Sequence, residues 1–188
     1  MEIEIKFKLK EGVKERVKQI AEFVIKKEEI DIYFNSPIRD FKESDEALRV
    51  RKDIEGVKIT YKGPKIDKET KSREEISVKV DNFENAIKIL KKLGFKPVKE
   101  VRKIREIYRT DNAIICIDKV DGLGEYIEIE INHDDINLKE KLFEIAEELG
   151  YSRDESIRES YLELLMKYAN DKLNTDPEQK SYKSKKLH

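Results

Sequence analysis

The chain is poor in the residues that mark specialised classes of protein: it has a single cysteine, Cys116, two methionines and no tryptophan. One cysteine cannot close a disulfide within the chain, which excludes a disulfide-stapled scaffold and fits a reducing compartment. No apolar run reaches the roughly 20 residues of a membrane helix or reads as a secretory leader, so a soluble, cytoplasmic protein with no membrane partner is expected. Neither sign of charge dominates: 40 basic residues meet 41 acidic ones, for a net charge of -1. The overall basic excess of a nucleic-acid binder is therefore missing, and few aromatics stand among the basic strands to stack bases. What the chain does have is charge, 43% of its residues against 38% apolar. At 188 residues that apolar share suffices for one domain with a modest core.

The opening "MEIEIKFKLK" sets Glu2, Glu4, Lys6 and Lys8 against Ile3, Ile5, Phe7 and Leu9. Side chains two apart in a strand share a face, so this is a strand with one charged and one apolar side. "EGVKERVKQIAEFVIKK" follows with Val13, Val17, Ile20, Ala21 and Val24 at helical spacing, predicting a helix through Lys27. Strands are expected in "IDIYFN", "ALRVRKD", "VKITYKG" and "SREEISVKV". A helix capped by Asn82 and ended by Gly94 comes next, then strands in "VRKIREIYRT", "AIICIDKV" and "EYIEIEIN". A helix runs from a cap at Asn137 to Gly150, and "SIRESYLELLMKYA" reads as another. Residues 1–170 form the expected domain, and 171–188 a polar, lysine-rich tail whose Lys183, Lys185 and Lys186 read as solvated. The two halves share a grammar of strand, helix and basic strand, either an internal pseudo-repeat or plain recurrence of common elements.

The charged alternation recurs. Arg49 and Arg51 share a face, as do Arg73 and Glu75, Lys103 and Arg105, and Glu128 and Glu130; Lys62 and Asp118 sit on their strands in the same way. These are either the wet faces of an open sheet or the lining of a closed one with its apolar side covered by helices. The sorting of charge favours the lining. Bases come in pairs, and carboxylates come as Glu-x-Glu on the first and last strands. Guanidinium groups suit phosphate oxygens, and paired carboxylates offer hard oxygen donors to Mg²⁺ or Mn²⁺. Cations for phosphate beside acids for a metal describe a site for a triphosphate.

On these residues the chain resembles the CYTH superfamily, the triphosphate tunnel metalloenzymes, through "EIEIK", "DIYF", "DEALRVR", "ITYKGP", "SREE", "VRKIR", "IDKVDGLGEYIEIE" and "SYLELL", in order from residue 2 to about 165. "SPIRDFKESDEALRVR" and "TYKGPKID" look most like the CyaB-type, class IV adenylyl cyclase branch. The resemblance implies an α+β fold, an eight-stranded antiparallel barrel with a charged interior and helices outside. It implies that Glu2, Glu4, Asp118, Glu128 and Glu130 bind Mg²⁺ or Mn²⁺. Lys6, Arg49, Arg51, Lys62, Arg73, Lys103 and Arg105 would hold the phosphates of ATP or another triphosphate or polyphosphate. Tyr33 and Lys62 match a pair proposed to activate water in hydrolytic relatives, although Tyr33 reads equally well as a rim or core aromatic. The implied reaction is ATP to cyclic AMP and pyrophosphate, with tripolyphosphate, nucleotide or thiamine triphosphate hydrolysis as the rival and a non-catalytic nucleotide or polyphosphate sensor as a third reading. A monomer or homodimer is expected. Glu75 reads as a holder of a base rather than a metal ligand, Cys116 as a small buried residue, and His133 as a surface histidine.

Overall fold

The computed structural model describes residues 3–66, 73–131 and 138–175. The chain divides into two compact units, one up to Arg158 and one from Glu159 onward. In the first unit β1 (Ile3–Lys8) leads to α1 (Val13–Ile20), β2 (Glu22–Asn35), β3 (Ala47–Asp53), β4 (Gly56–Lys62) and β5 (Glu75–Val80). α2 (Phe83–Lys92), β6 (Lys96–Arg109), β7 (Ile114–Val120), β8 (Gly124–Ile131) and α3 (Leu138–Glu148) complete it.

The first helix is shorter than its periodicity implies. It stops at Ile20, Ala21 is already extended, and Glu22 starts a strand. The segment Phe23-Val24-Ile25 is aromatic and β-branched, which suits a strand, and β2 pairs with β6 along its whole length. That ladder overrides the helical spacing, and Val24, expected on the buried helix face, is exposed. β6 in turn begins at Lys96 instead of Val101; its Pro97 lies where the register slips between Tyr33 and Phe34 on β2, a place where a missing N–H is tolerated. α2 is as expected: the Asn82 side chain accepts from Asn85 N at 2.8 Å, and Gly94 leaves the helix at a φ of 91° that a side chain would resist. Asn137, the expected cap of α3, lies outside the described residues, as do Glu2, His133 and the lysines at 183–186.

The second unit contains α4 (Tyr161–Thr175). It starts with a reciprocal cap, Glu163 N to Ser160 Oγ at 3.2 Å and Ser160 N to Glu163 Oε2 at 2.6 Å. The helix continues past residue 170, where the polar tail is expected to begin.

All eight strands form one antiparallel sheet in the order β1-β8-β7-β6-β2-β3-β4-β5. The expected closure into a barrel is not confirmed: among the described residues β1 and β5 are not paired with each other, so hydrogen bonds between them leave the sheet open. The order also resolves the question of internal repetition: β1-α1-β2-β3-β4 and β5-α2-β6-β7-β8 have the same element sequence and exchange places in the sheet about the central β2–β6 pair. The counterpart of α2 is thus α1, and the shared Leu-Gly-aromatic ending of α2 and α3 is recurrence of a stop signal.

Two apolar clusters cover the outer face. On one side Ile5, Phe7, Ile115, Ile117, Ile127 and Ile129 pack with Val13 and Val17 of α1 and Leu142, Phe143, Ala146 and Leu149 of α3. On the other a smaller group, Phe34, Phe41, Leu48, Val50 and Val57, meets Ala86 and Leu90 of α2.

Candidate active site

Burial on both faces distinguishes this sheet from one with a wet side. On β1, Ile5 is 1% exposed and its neighbour Lys6, pointing the other way, 0%. Glu29, Asp31, Lys103, Asp118 and Glu128 are buried as well. Isolated charges would not tolerate such an interior, because each loses its hydration; paired charges can. The register supplies the pairs. Lys6 stands opposite Glu128, with Nζ to Oε1 at 3.4 Å. Arg105 donates from Nε to Asp118 Oδ1 at 2.7 Å and also contacts Glu128. Lys62 is paired with Glu75, the role expected for that carboxylate.

Around β2 the structure shows carboxylates that the sequence reading missed. Asp31 takes a two-pronged contact from Arg51, Nε to Oδ1 at 2.6 Å and an Nη to Oδ2 at 2.8 Å. Glu29 Oε2 lies 3.0 Å from both Arg51 and Lys103, as charge contacts without good hydrogen-bond alignment. Lys27 sits among Asp53 at 2.7 Å, Glu29 at 3.3 Å and Glu55. Burial works to raise the Glu29 and Asp31 pKa values. For Glu29 the charges of Lys103, Arg105 and Arg51 overcome it, and for Asp31 those of Arg51 and Arg49, leaving both acids well below the usual carboxylate range. The signal was present in strand parity, since Lys27, Glu29, Asp31 and Tyr33 are spaced by two; assigning Lys27 to a helix hid it.

Arg49 is different. Asp31, an acid on the same face, lies 4.0 Å from an Nη, and the Arg49 Nε is buried with no hydrogen-bond partner among the described residues. A buried guanidinium N–H without an acceptor is costly, and a phosphate oxygen is an acceptor of the right charge. Tyr33 is buried on the same face, opposite Arg49 on one side and Lys99 on the other. Lys62 lies two strands from Tyr33, beside Glu75. Arg73 is buried, with an Nη 3.9 Å from Asp45. Cys116 is buried opposite Glu128 on the charged face, and burial pushes its thiol up to about 12, away from reactivity.

The sorting of sign is also spatial. Glu4 faces Glu130 across β1 and β8, with Glu128 two residues along. Among the described residues no three carboxylate, histidine or cysteine groups converge as a metal cage. Mg²⁺ and Mn²⁺ do not require one: one or two carboxylates suffice when substrate phosphates and water supply the other oxygens. The facing Glu4 and Glu130 fit such an ion. Asp118 in this structure serves first as the partner of Arg105.

The family model described as the CYTH domain matches residues 1–161. A Methanocaldococcus jannaschii protein named "Putative adenylate cyclase MJ0240" is 49% identical over 171 residues, 87% of this chain and 98% of that protein. "Adenylate cyclase CyaB" of Aeromonas hydrophila is 27% identical over 140 residues, 71% of this chain and 70% of that one. Among solved structures, the PH1819 protein of Pyrococcus horikoshii superposes with a TM-score of 0.83 at 39% identity, covering 89% of this chain and 99% of its own. No helix among the described residues is long and apolar enough to cross a membrane.

Proposed function

The chain belongs to the CYTH-domain family, and from that premise we propose that it is a divalent-metal-dependent enzyme acting on a triphosphate, converting ATP to cyclic AMP and pyrophosphate. The observation that carries the triphosphate reading is the buried cationic lining, in which Arg49 Nε has no acceptor among the described residues. Arg49, Arg51, Lys103 and Arg105, with Lys6, Lys62 and Arg73, hold the phosphate chain by charge-assisted hydrogen bonds. Their internal carboxylates fix the cations before substrate arrives, so little reorganisation remains for the reaction. Glu4 and Glu130, with Glu128, would hold Mg²⁺ or Mn²⁺, which would offset charge on the phosphate oxygens. Cyclisation forms a bond from the ribose 3′-oxygen to the α-phosphorus and breaks the bond to pyrophosphate, with the two oxygens in line and the attacking one about 3–3.5 Å from phosphorus. The lining must therefore grip the β- and γ-phosphates while leaving the α-phosphorus open to the ribose. Tyr33, opposite Arg49, is the candidate proton carrier, and Lys62 is assigned to phosphate contact.

Chromatography of the products from ATP, tripolyphosphate and thiamine triphosphate, each with Mg²⁺ and with Mn²⁺, tests this. Cyclic AMP and pyrophosphate from ATP are expected. ADP and phosphate without cyclic AMP would overturn the cyclase assignment in favour of a triphosphatase, and no turnover of any of the three would overturn the enzyme reading.

A further inference from the structure

Two bases on the charged face, Lys58 and Lys79, have no part in the assignments above. Their side is fixed by the ladder. Arg49 stands opposite Thr60, and Thr60 Oγ1 lies 2.8 Å from Ser77 Oγ on the next strand, so Arg49, Thr60 and Ser77 share the inner face. Lys58 and Lys79 are two residues from Thr60 and Ser77 and project to the same side. Arg51, Lys58 and Lys79 stand opposite one another across β3, β4 and β5, three bases in a row.

Like charges directly opposite on a sheet are destabilising. Among their neighbours on this face the cost is offset in place: Arg51 and Lys103 share Glu29 and Asp31, Arg105 and Lys6 share Glu128, and Lys62 has Glu75. Lys58 and Lys79 have no ion pair or hydrogen bond among the described residues. Arg49 is the diagonal neighbour of Lys58, within reach of a long side chain, and its buried Nε has no acceptor there either. Lys58 is half-buried and Lys79 exposed, so a dissolved anion can reach them. Three cationic groups and the Thr60 and Ser77 hydroxyls thus make one patch with an excess of positive charge.

That excess matches one group of a triphosphate better than the others. A terminal phosphate carries close to two negative charges and three free acceptor oxygens, whereas an internal one carries a single charge. We propose that Lys58 and Lys79, with Arg49, form the subsite for the terminal phosphate. The assignment rests on the triphosphate reading and adds a direction to it: the chain lies with its terminal phosphate against β3, β4 and β5, and its α-phosphorus towards Glu4 and Glu130 on β1 and β8.

The test uses the ATP analogue in which both oxygens bridging phosphorus atoms are replaced by methylene, which neither cyclises nor hydrolyses, and the γ-methyl ester of that analogue. The ester lacks one charge and one free oxygen at the terminal phosphate alone. Calorimetric titration with Mg²⁺ at about pH 8.5, well above the phosphate pKa of about 6, should show wild type binding the uncapped analogue about tenfold more tightly, the scale of one hydrogen bond to a charged group. Lys58→Met/Lys79→Met should bind the uncapped analogue about 10–100-fold more weakly than wild type does, and its preference over the ester should shrink to less than about twofold. Lys52→Met/Lys119→Met removes the same charge from exposed positions on the outer face and should keep the preference. Without ligand the Lys58→Met/Lys79→Met variant should melt no lower than wild type, because an opposed like-charge pair is gone. Should it melt lower, Lys79→Met alone, at an exposed position, must still cut the preference by about threefold or more. Equal binding of the two analogues by wild type, or a preference that survives loss of the lysines, would overturn the assignment and leave the triphosphate reading standing. A wild type that binds neither these analogues nor tripolyphosphate would overturn both.

Discussion

The two ends of the sheet are topological equivalents that the sequence treats in opposite ways. At the β1–β8 end the ion pair is Lys6 with Glu128, and further carboxylates, Glu4 and Glu130, stand beside it. At the β5–β4 end the polarity reverses: the carboxylate Glu75 is on the edge strand and Lys62 on its neighbour, with the bases Lys58 and Lys79 facing each other across the same two strands. The same geometry thus offers acids at one end and bases at the other. That division suits a ligand carrying both a metal ion and a chain of phosphates. The halves differ in packing as well, since α1 and α3 bury one apolar face while α2 alone covers part of the other and leaves β5 exposed.

If acids and bases have these separate tasks, Glu130→Gln should lower turnover by roughly 10²–10³-fold, the scale of losing one group that meets transition-state charge. Glu75→Gln at the opposite end should leave most of it. Turnover measured at saturating Mg²⁺ and Mn²⁺ checks this, and equal losses in both variants would erase the contrast.

A next effect separates cations held by the protein from the one left for substrate. Arg51→Ala strands Asp31 and Glu29 in the interior, and breaking a buried pair costs about 3–5 kcal/mol. Urea denaturation should show a loss on that scale. Arg49→Ala removes a group whose ionic contact among the described residues is a long one, 4.0 Å to Asp31. It should leave stability nearly intact and weaken tripolyphosphate binding by about 1.5–3 kcal/mol, the range for hydrogen bonds to charged groups. Calorimetric titration beside the denaturation curves distinguishes the two.

The gentlest probe is pH. Glu29 and Asp31 have folded pKa values depressed below their unfolded ones. Their contribution to stability is therefore fully present above about pH 4, the unfolded carboxylate range, and is lost as pH falls through the folded values. Urea midpoints should be level from neutrality to about pH 5 and fall below it. A Glu29→Gln variant should fall less steeply.

Much of this was legible because strand parity is a local property. Arg49 and Arg51, Lys103 and Arg105, and Glu128 and Glu130 can be placed on one face from spacing alone, and the register bears that out. The start of β2 was not legible, because Val17, Ile20 and Val24 satisfy a helical period and only the distant β6 ladder makes residues 22–27 a strand. Glu29 fell outside the expected strand, and Asp31, although inside "IDIYFN", stood there as a single acid until Lys27 and Glu29 joined its face. Closure was not legible either: whether β1 meets β5 depends on how far the sheet curls, and alternation along a strand says nothing of that.

The central claim is that the charged face is an enclosed anion site and not a solvated surface. Lys103 and Arg102 are adjacent on β6 and point to opposite sides, one buried among Glu29 and Asp31 and the other half-exposed beside Glu100. Calorimetric titration of tripolyphosphate into Lys103→Met and Arg102→Met tests the claim most directly. Binding weakened by about 1.5–3 kcal/mol in the first and changed by less than about 0.5 kcal/mol in the second is the predicted result. Equal changes in both, or none in Lys103→Met, would contradict it.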